Sequence, residues 1–550
     1  MRAPARFIIT NVLALALAGS AFAADPPAPK GHGARASASS DEPAASDTGT
    51  GEHADARALD AAEAKITPAD YVSAPINEVS RTTHHTTVIG GRSISYEATA
   101  GTLTLRDDDG RPTASMFYVA YVADHGKGAP TRPITFMFNG GPGSSSMWLH
   151  MGSLGPVRVQ TDQPQPSRGA PYHLVPNDNS LLDRSDLVFI DAIGTGLSRP
   201  LGDTKGEKFW GVDQDIDAFA RGITRYVNMN NRWNSPKFIF GESYGTPRAS
   251  GLVYALQQQG MQINGVVLLS SILNFGTREA GYDQNLINFL PSYAAAAWYH
   301  NRVPNRPADL AAFVQQARDF ARGPYALALG KGDSISPEEL DQTAQKMSYF
   351  TGLSPAFLKR SDLRVDLGRF RAELLRDQGE IIGRLDSRFT GTEPDAANES
   401  ASYDPADVQV GGPYVGLLND YLRGELGYQT KLTYRPNYYS AIGPAWDWRH
   451  RPPGSRRQSA VADMALDLGE AMRENPHLKV LSLNGYYDFA TPFGGTEYDL
   501  NHMQINKTLQ QNLHYEYYPS GHMVYLNPDA LKVMKRDLVS FYDEAAPGTE

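Results

Sequence analysis

From about His84 the chain reads in several short β-rich runs, "TTVIGGRSISYEATAGTLTLRDDDGRPTASMFYVAYVAD". The turn signals "GG" and "DDDG" between them predict an antiparallel meander at the entry to the domain. The pattern then changes to continuous apolar runs: "ITFMF" (134–138), "LVFID" (187–191), "KFIFG" (237–241) and "GVVLLS" (265–270). Such runs suit strands buried on both faces. Helical stretches over Trp210–Asn228 and Tyr244–Gln259 separate some of them. Strands alternating with helices predict a mostly parallel central sheet with crossover helices.

After about Asn274 this rhythm stops. Leu310, Phe313, Val314, Ala317, Phe320 and Ala321 fall on one helical face. Ser336, Pro337 and Glu339 form an N-cap, first-turn proline and capping-box acid, and Ser354-Pro355 repeats the start signal. Strand-like runs return at "LKVLSLNG" (478–485) and "HYEYYP" (514–519), before a last amphipathic helix from about Pro528 to Glu544. The pattern therefore predicts one α/β domain over 66–550, interrupted by a lid-like helical insertion at about 276–440.

The N-terminus departs from this picture. Arg2 and Arg6 precede an apolar segment from about Phe7 to Ala18, and Ala21-Phe22-Ala23 supplies a small-x-small cleavage pattern. Residues 1–23 read as a signal peptide, too short in their apolar run for a membrane span. Residues 24–65 are rich in Ala, Pro, Ser, Gly and Asp, and read as a disordered linker. The chain contains no cysteine. A large exported protein without disulfides fits a bacterial envelope, periplasmic or secreted. A net charge of −10 and the lack of a Lys/Arg-rich tract argue against nucleic acid as a partner. After signal cleavage no stable membrane insertion is expected.

Candidate chemistry centres on Gly241-Glu242-Ser243-Tyr244-Gly245, a G-x-S-x-G pattern between an apolar strand and a helical pattern. That context is the strand–turn–helix of a nucleophile elbow, the arrangement of an α/β-hydrolase fold. A serine needs a base to take its proton, and on this fold the acid and histidine follow in the order Ser, Asp/Glu, His. Asp488 lies just beyond one apolar run and His522 in the next post-strand loop, so Ser243, Asp488 and His522 fit in order and position. The other histidines lack a comparable place. No H-E-x-x-H or other compact ligand cluster is present, and "DDD" (107–109) reads as an exposed turn rather than a Ca²⁺ site. No metal or cofactor is called for.

The stretch "NGGPGSSS" (139–146) fits neither phosphate-loop spacing. A glycine-rich loop after an early strand does match the source of the second backbone oxyanion donor in an α/β hydrolase. Together with "DLVFIDAIGTGLS" (186–198), "GESYG", "NGYYDFATP" and "SGHMVYLNP", in that order, it resembles the serine carboxypeptidases of the carboxypeptidase Y type. The resemblance runs from about Ile66 to the C-terminus. It implies that Ser243 attacks the carbonyl, His522 shuttles the proton and Asp488 orients it. It also implies oxyanion donors at Gly141 and Tyr244, and a site for the substrate carboxylate at Asn139, Gly140 and Glu242. A carboxylate beside a carboxylate is repulsive, so Glu242 is expected to bind in its protonated form. The partners expected are peptides with a free C-terminus. Two positions depart from the family pattern: Met137 stands where a tryptophan is common, and Ser153 where a second acid is usual. Ser144 replaces the cysteine of the eukaryotic glycine block. The leading expectation is a serine-type carboxypeptidase. An esterase or acyltransferase with the same triad, and a non-catalytic binding protein on the same scaffold, are the alternatives.

Overall fold

The computed structural model describes residues 72–125, 131–161 and 164–548. The signal peptide and linker expected at 1–23 and 24–65 lie outside the described residues. β1 (Ser80–Ile89), β2 (Arg92–Arg106) and β3 (Pro112–Ala123) form the antiparallel meander. Gly90 and Gly91 make its first turn with φ of 55° and 74°. Positive φ at both central residues matches the right-handed twist of the flanking strands, which is why a two-glycine turn serves there.

β4 (Ile134–Phe138), β5 (Asp186–Ile190), α1 (Val212–Met229), β6 (Lys237–Ser243), α2 (Gly245–Gln258) and β7 (Gly265–Ser271) follow. After β7 come α3 (Gln284–Tyr299), α4 (Leu310–Phe320), α5 (Pro337–Thr351), α6 (Pro405–Asp420), α7 (Tyr439–Ala445) and α8 (Ala465–Glu474). β8 (Lys479–Gly485), β9 (Leu513–Tyr518) and α9 (Pro528–Ala545) close the chain. The sheet order is β1-β2-β3-β5-β4-β6-β7-β8-β9, and the strands from β5 to β9 run parallel. This is a mostly parallel sheet with an antiparallel N-terminal edge.

Period-two projection divides the core between two faces. Phe136 and Phe138 of β4 cluster with Phe219 and Ile223 of α1, Leu252 and Leu256 of α2, and Leu468 of α8. Met137, between them, faces Leu531, Met534 and Leu538 of α9. Thr135 shares that second face, where its hydroxyl meets the Tyr542 hydroxyl at 2.8 Å. Both faces are covered, which explains why β4 reads as an unbroken apolar run.

Between β7 and β8, helices build a core of their own from Phe289, Tyr293, Phe313, Phe350 and Phe370. Phe489, which follows Asp488, belongs to the same cluster. Ser336 caps α5 by accepting the Glu339 amide proton at 3.2 Å. The reciprocal half of the capping box is diverted, because the Glu339 carboxylate accepts from Lys331 at 2.5 Å. A short hairpin, Glu380–Ile382 with Thr390–Thr392, interrupts the helices.

Candidate active site

Ser243 is the last residue of β6 and has φ of 60°. A non-glycine residue held there is strained, and the surroundings fix it. A Cβ at Gly241 would stand 2.1 Å from the Gly245 carbonyl oxygen, and one at Gly245 would stand 2.7 Å from that of Phe138. Only glycines permit this tight passage from strand to α2. The glycine loop approaches just as closely, since a Cβ at Gly140 would lie 2.3 Å from the Tyr244 amide nitrogen. Gly141 has φ of 110° and is covered by the Tyr439 ring. Gly140 and the first amides of α2 are thus brought to one spot, with the positive end of a helix dipole behind it.

Two of the three serines of the glycine block are spent on the backbone. Ser144 Oγ donates to the Ser145 carbonyl, and Ser146 Oγ to that of Ile190. Buried Asp191 accepts the Ser146 amide proton at 2.9 Å and the Tyr434 hydroxyl proton at 3.2 Å. Burial pushes the Asp191 carboxyl up to about 6. The chain before α7 is stitched onto the same loop: Tyr438 donates its amide proton to the Gly143 carbonyl at 2.7 Å, and Ser145 donates to that of Pro436 at 2.9 Å.

Asp488 and His522 lie in the loops after β8 and β9, and both are buried. His522 Nδ1 is 2.9 Å from Asp488 Oδ2. Asp488 Oδ1 accepts the amide protons of Ala490 and Thr491 at 2.8 and 3.0 Å. Burial opposes charge on the imidazole, but the Asp488 carboxylate and its hydrogen bond outweigh this, so the pKa of His522 is raised. Ser271 pairs in register with Ser243, and the adjacent Ser270 hydroxyl donates to the His522 carbonyl at 2.6 Å. That bond ties the histidine loop to the strand beside the elbow. The segment after the short strand at 380–382 braces both loops, because Leu385 accepts the His522 amide proton at 2.7 Å and Arg384 that of Phe489 at 3.0 Å.

Glu242 precedes the elbow serine and is 1% exposed. Both its carboxyl oxygens face the Tyr525 hydroxyl, at 3.0 and 3.1 Å. Asn139 Oδ1 accepts the Leu149 amide proton at 2.8 Å, which turns the Asn139 amide group toward Glu242 for a second side-chain bond. Burial pushes the Glu242 carboxyl up to about 7, against the opposing pull of His522. Met137 and Ser153 are both buried. The Ser153 hydroxyl donates to the Leu149 carbonyl within a π-helical turn, His150–Leu154.

Sequence reasoning missed Thr491 and Tyr525, although both lie inside quoted blocks, three residues after Asp488 and His522 respectively. It also missed Tyr414 of α6, which nothing in the local pattern distinguishes. Asp107 and Asp109 of the "DDD" turn both bind Arg111.

A central parallel sheet, a strained serine between strand and helix, and an Asp–His pair on the next post-strand loops define an α/β hydrolase. Within that class the likeness is to serine carboxypeptidases: residues 91–295 match the family model described as "Serine carboxypeptidase". The pheromone-processing carboxypeptidase KEX1 of Saccharomyces cerevisiae is 34% identical over 159 residues, which is 26% of this chain and 20% of that protein. "Serine carboxypeptidase-like 26" of Arabidopsis thaliana is 22% identical over 249 residues, 42% of this chain and 52% of that one. The chain thus spans a fifth and about half of these relatives' lengths. A crystal structure of the yeast prohormone-processing carboxypeptidase aligns with 15% identity and a TM-score of 0.49, over 82% of this chain and 92% of that one. The matched segment holds the glycine block and the elbow, while Asp488 and His522 lie beyond it.

Proposed function

We propose that this protein is a serine-type carboxypeptidase that removes residues from peptides with a free C-terminus. One observation carries the reading: a fully buried glutamate, bonded to Asn139 and Tyr525, directly precedes the strained serine. Hydrolysis of an ester or an internal peptide bond needs no buried carboxyl there. Recognition of a substrate carboxylate does, provided the glutamate keeps its proton, and burial favours that form.

In the proposed reaction Ser243 Oγ attacks the scissile carbonyl carbon while the His522 imidazole takes its proton. Asp488 holds the imidazole by its Nδ1–H and stabilises the imidazolium. The oxyanion forms against the backbone N–H groups of Gly141 and Tyr244, each worth ~3 kcal/mol of transition-state stabilisation. Collapse of the tetrahedral intermediate expels the C-terminal amino acid, whose nitrogen takes the proton from His522. Water, deprotonated by the same imidazole, then frees the acyl group and restores Ser243. No metal or cofactor enters this scheme. Export to a periplasmic or extracellular compartment is part of the proposal and rests on residues 1–23. No helix among the described residues is long and apolar enough to cross a membrane.

The test uses a blocked dipeptide, its C-terminal amide and a simple ester, with Ser243→Ala as control. Turnover of the free acid but not of the amide, lost in Ser243→Ala, supports the proposal. Serine-dependent turnover of the ester alone supports an esterase or acyltransferase, and no serine-dependent turnover supports a binding protein.

A further inference from the structure

Ser153 stands where the family places a second acid, and its hydroxyl is committed to the Leu149 carbonyl. A terminal carboxylate bound by Glu242 and Asn139 alone would lack the donor that holds the glutamate in place. The space at Gly152, the residue before Ser153, is filled by two tyrosines from distant parts of the chain. A Cβ at Gly152 would stand 2.5 Å from both the Tyr414 hydroxyl oxygen and Cε2 of Tyr525. Tyr525 reaches both carboxyl oxygens of Glu242, and Tyr414, also buried, has a hydroxyl with no hydrogen-bond partner among the described residues.

We propose that Tyr525, supported by Tyr414, takes the place of the missing acid in recognising the substrate's terminal carboxylate. The inference rests on the carboxypeptidase reading above and specifies its binding site. The chemistry follows from donors and acceptors. A protonated glutamate has one O–H and one carbonyl oxygen. The Tyr525 hydroxyl sits almost equidistant from both oxygens, so it can donate to whichever is the carbonyl. Glu242 then keeps its own O–H for the incoming carboxylate, beside the Asn139 amide group. The unpartnered Tyr414 hydroxyl supplies a further donor, delivered by α6. A buried hydroxyl without a partner destabilises the free protein, and a bound anion would satisfy it.

The groups facing Glu242 set the pH response. His522 draws its pKa down and Asp488 pushes it up, while Tyr525 and Asn139 bond the ionised form. Tyr414 lies in the field of both Glu242 and Arg158. Loss of the Tyr525 hydroxyl therefore raises the pH at which Glu242 ionises.

Tyr525→Phe and Tyr414→Phe are compared with the wild type on a blocked dipeptide and its methyl ester, between pH 4 and 9. For Tyr525→Phe the free-acid kcat/KM is expected to fall about ten-fold relative to the ester, the upper end for one hydrogen bond between neutral groups. Ester turnover should fall less than free-acid turnover, and the alkaline rise in peptide KM should move to higher pH. Tyr414→Phe should weaken free-acid binding in the same direction and melt no lower than the wild type. It carries the test alone if Tyr525→Phe does not fold. An unchanged acid-to-ester ratio in the folded variants overturns the tyrosine proposal while leaving the carboxypeptidase reading intact. A wild type with no preference for the free acid over the amide overturns both.

Discussion

Asp488 Oδ2 and His522 Nδ1 are 2.9 Å apart, and the Thr491 hydroxyl joins them, donating to the same Asp488 oxygen at 2.7 Å and lying 3.1 Å from Nδ1. The Nδ1–H is thereby shared between a carboxylate and a hydroxyl oxygen, which fixes the tautomer with Nε2 free to accept a proton. Charge and geometry are then separable by mutation. Asp488→Asn keeps the shape but offers an amide, and under the proposed mechanism should lower kcat by about 10⁴-fold, the loss seen in serine–histidine–aspartate enzymes. Thr491→Val removes one hydrogen bond to the Asp488 carboxylate and should lower kcat by only about ten- to a hundred-fold. Steady-state kinetics on one ester substrate checks both, and equal losses would contradict the division of labour.

Glu242 and His522 give peptides and esters different pH profiles. Both reactions need neutral His522, so both decline in acid. In the proposed reaction only peptide binding needs protonated Glu242, whose carboxyl is pushed up to about 7 by burial. Peptide KM should therefore rise above about pH 7 while ester KM stays level. The same shift bears on stability. The folded state holds a proton that the unfolded chain releases near the ordinary glutamate value, so stability falls as pH rises through the interval from 4.5 to about 7. Glu242→Gln should flatten that decline in urea denaturation across the interval. It should also remove the pH dependence of peptide KM.

Gly140 links fold to chemistry through sterics alone. Its missing Cβ would lie 2.3 Å from the Tyr244 nitrogen and 2.4 Å from that of Gly245. Gly140→Ala must push the glycine loop away from α2 and separate the two proposed oxyanion donors. Loss of one such donor costs about 10²–10³-fold in kcat. The expected outcome is a loss of at least that size on ester and peptide alike. Circular dichroism should show the sheet retained, because the loop and not β4 has to move.

The parts of this architecture that could be read from sequence are those whose cause is local. Alternation in β1 and the first half of β2, and its absence in β3, β4, β6 and β7, report how many faces each strand buries. Gly241 and Gly245 around Ser243 report a turn that admits no side chain. Asp488 and His522 announced themselves by order and by the apolar runs before them. What stayed hidden depends on contacts between distant residues. Tyr525 lies in a quoted block, yet its bond to Glu242 spans 283 positions. Tyr414 sits in a helix where a tyrosine has no distinguishing pattern. Glu339 shows the limit of a local rule, since Lys331 takes the carboxylate that the capping box would have used.

His450 shows the same limit and yields the most direct stability test. Its ring lies between two carboxylates, with Nδ1 2.6 Å from Asp213 Oδ1 of α1 and Nε2 2.9 Å from Asp467 Oδ2 of α8. Only a doubly protonated imidazolium can donate to both. Burial alone would lower its pKa, but the bonds to Asp213 and Asp467 outweigh that and raise it to about 9. The ring pins the chain between α7 and α8, whose Trp446 packs edge-on against Tyr244 at 5.1 Å between centroids. Because the folded pKa lies above the unfolded value, the stabilisation is fully present below about pH 6.5 and is lost as pH rises through about 9. His450→Gln should therefore cost about 3 kcal/mol near pH 6, the scale of a buried ion pair left incomplete, and much less near pH 10. Urea denaturation at the two pH values measures the difference. A cost independent of pH would mean that the ring acts by packing and not by charge.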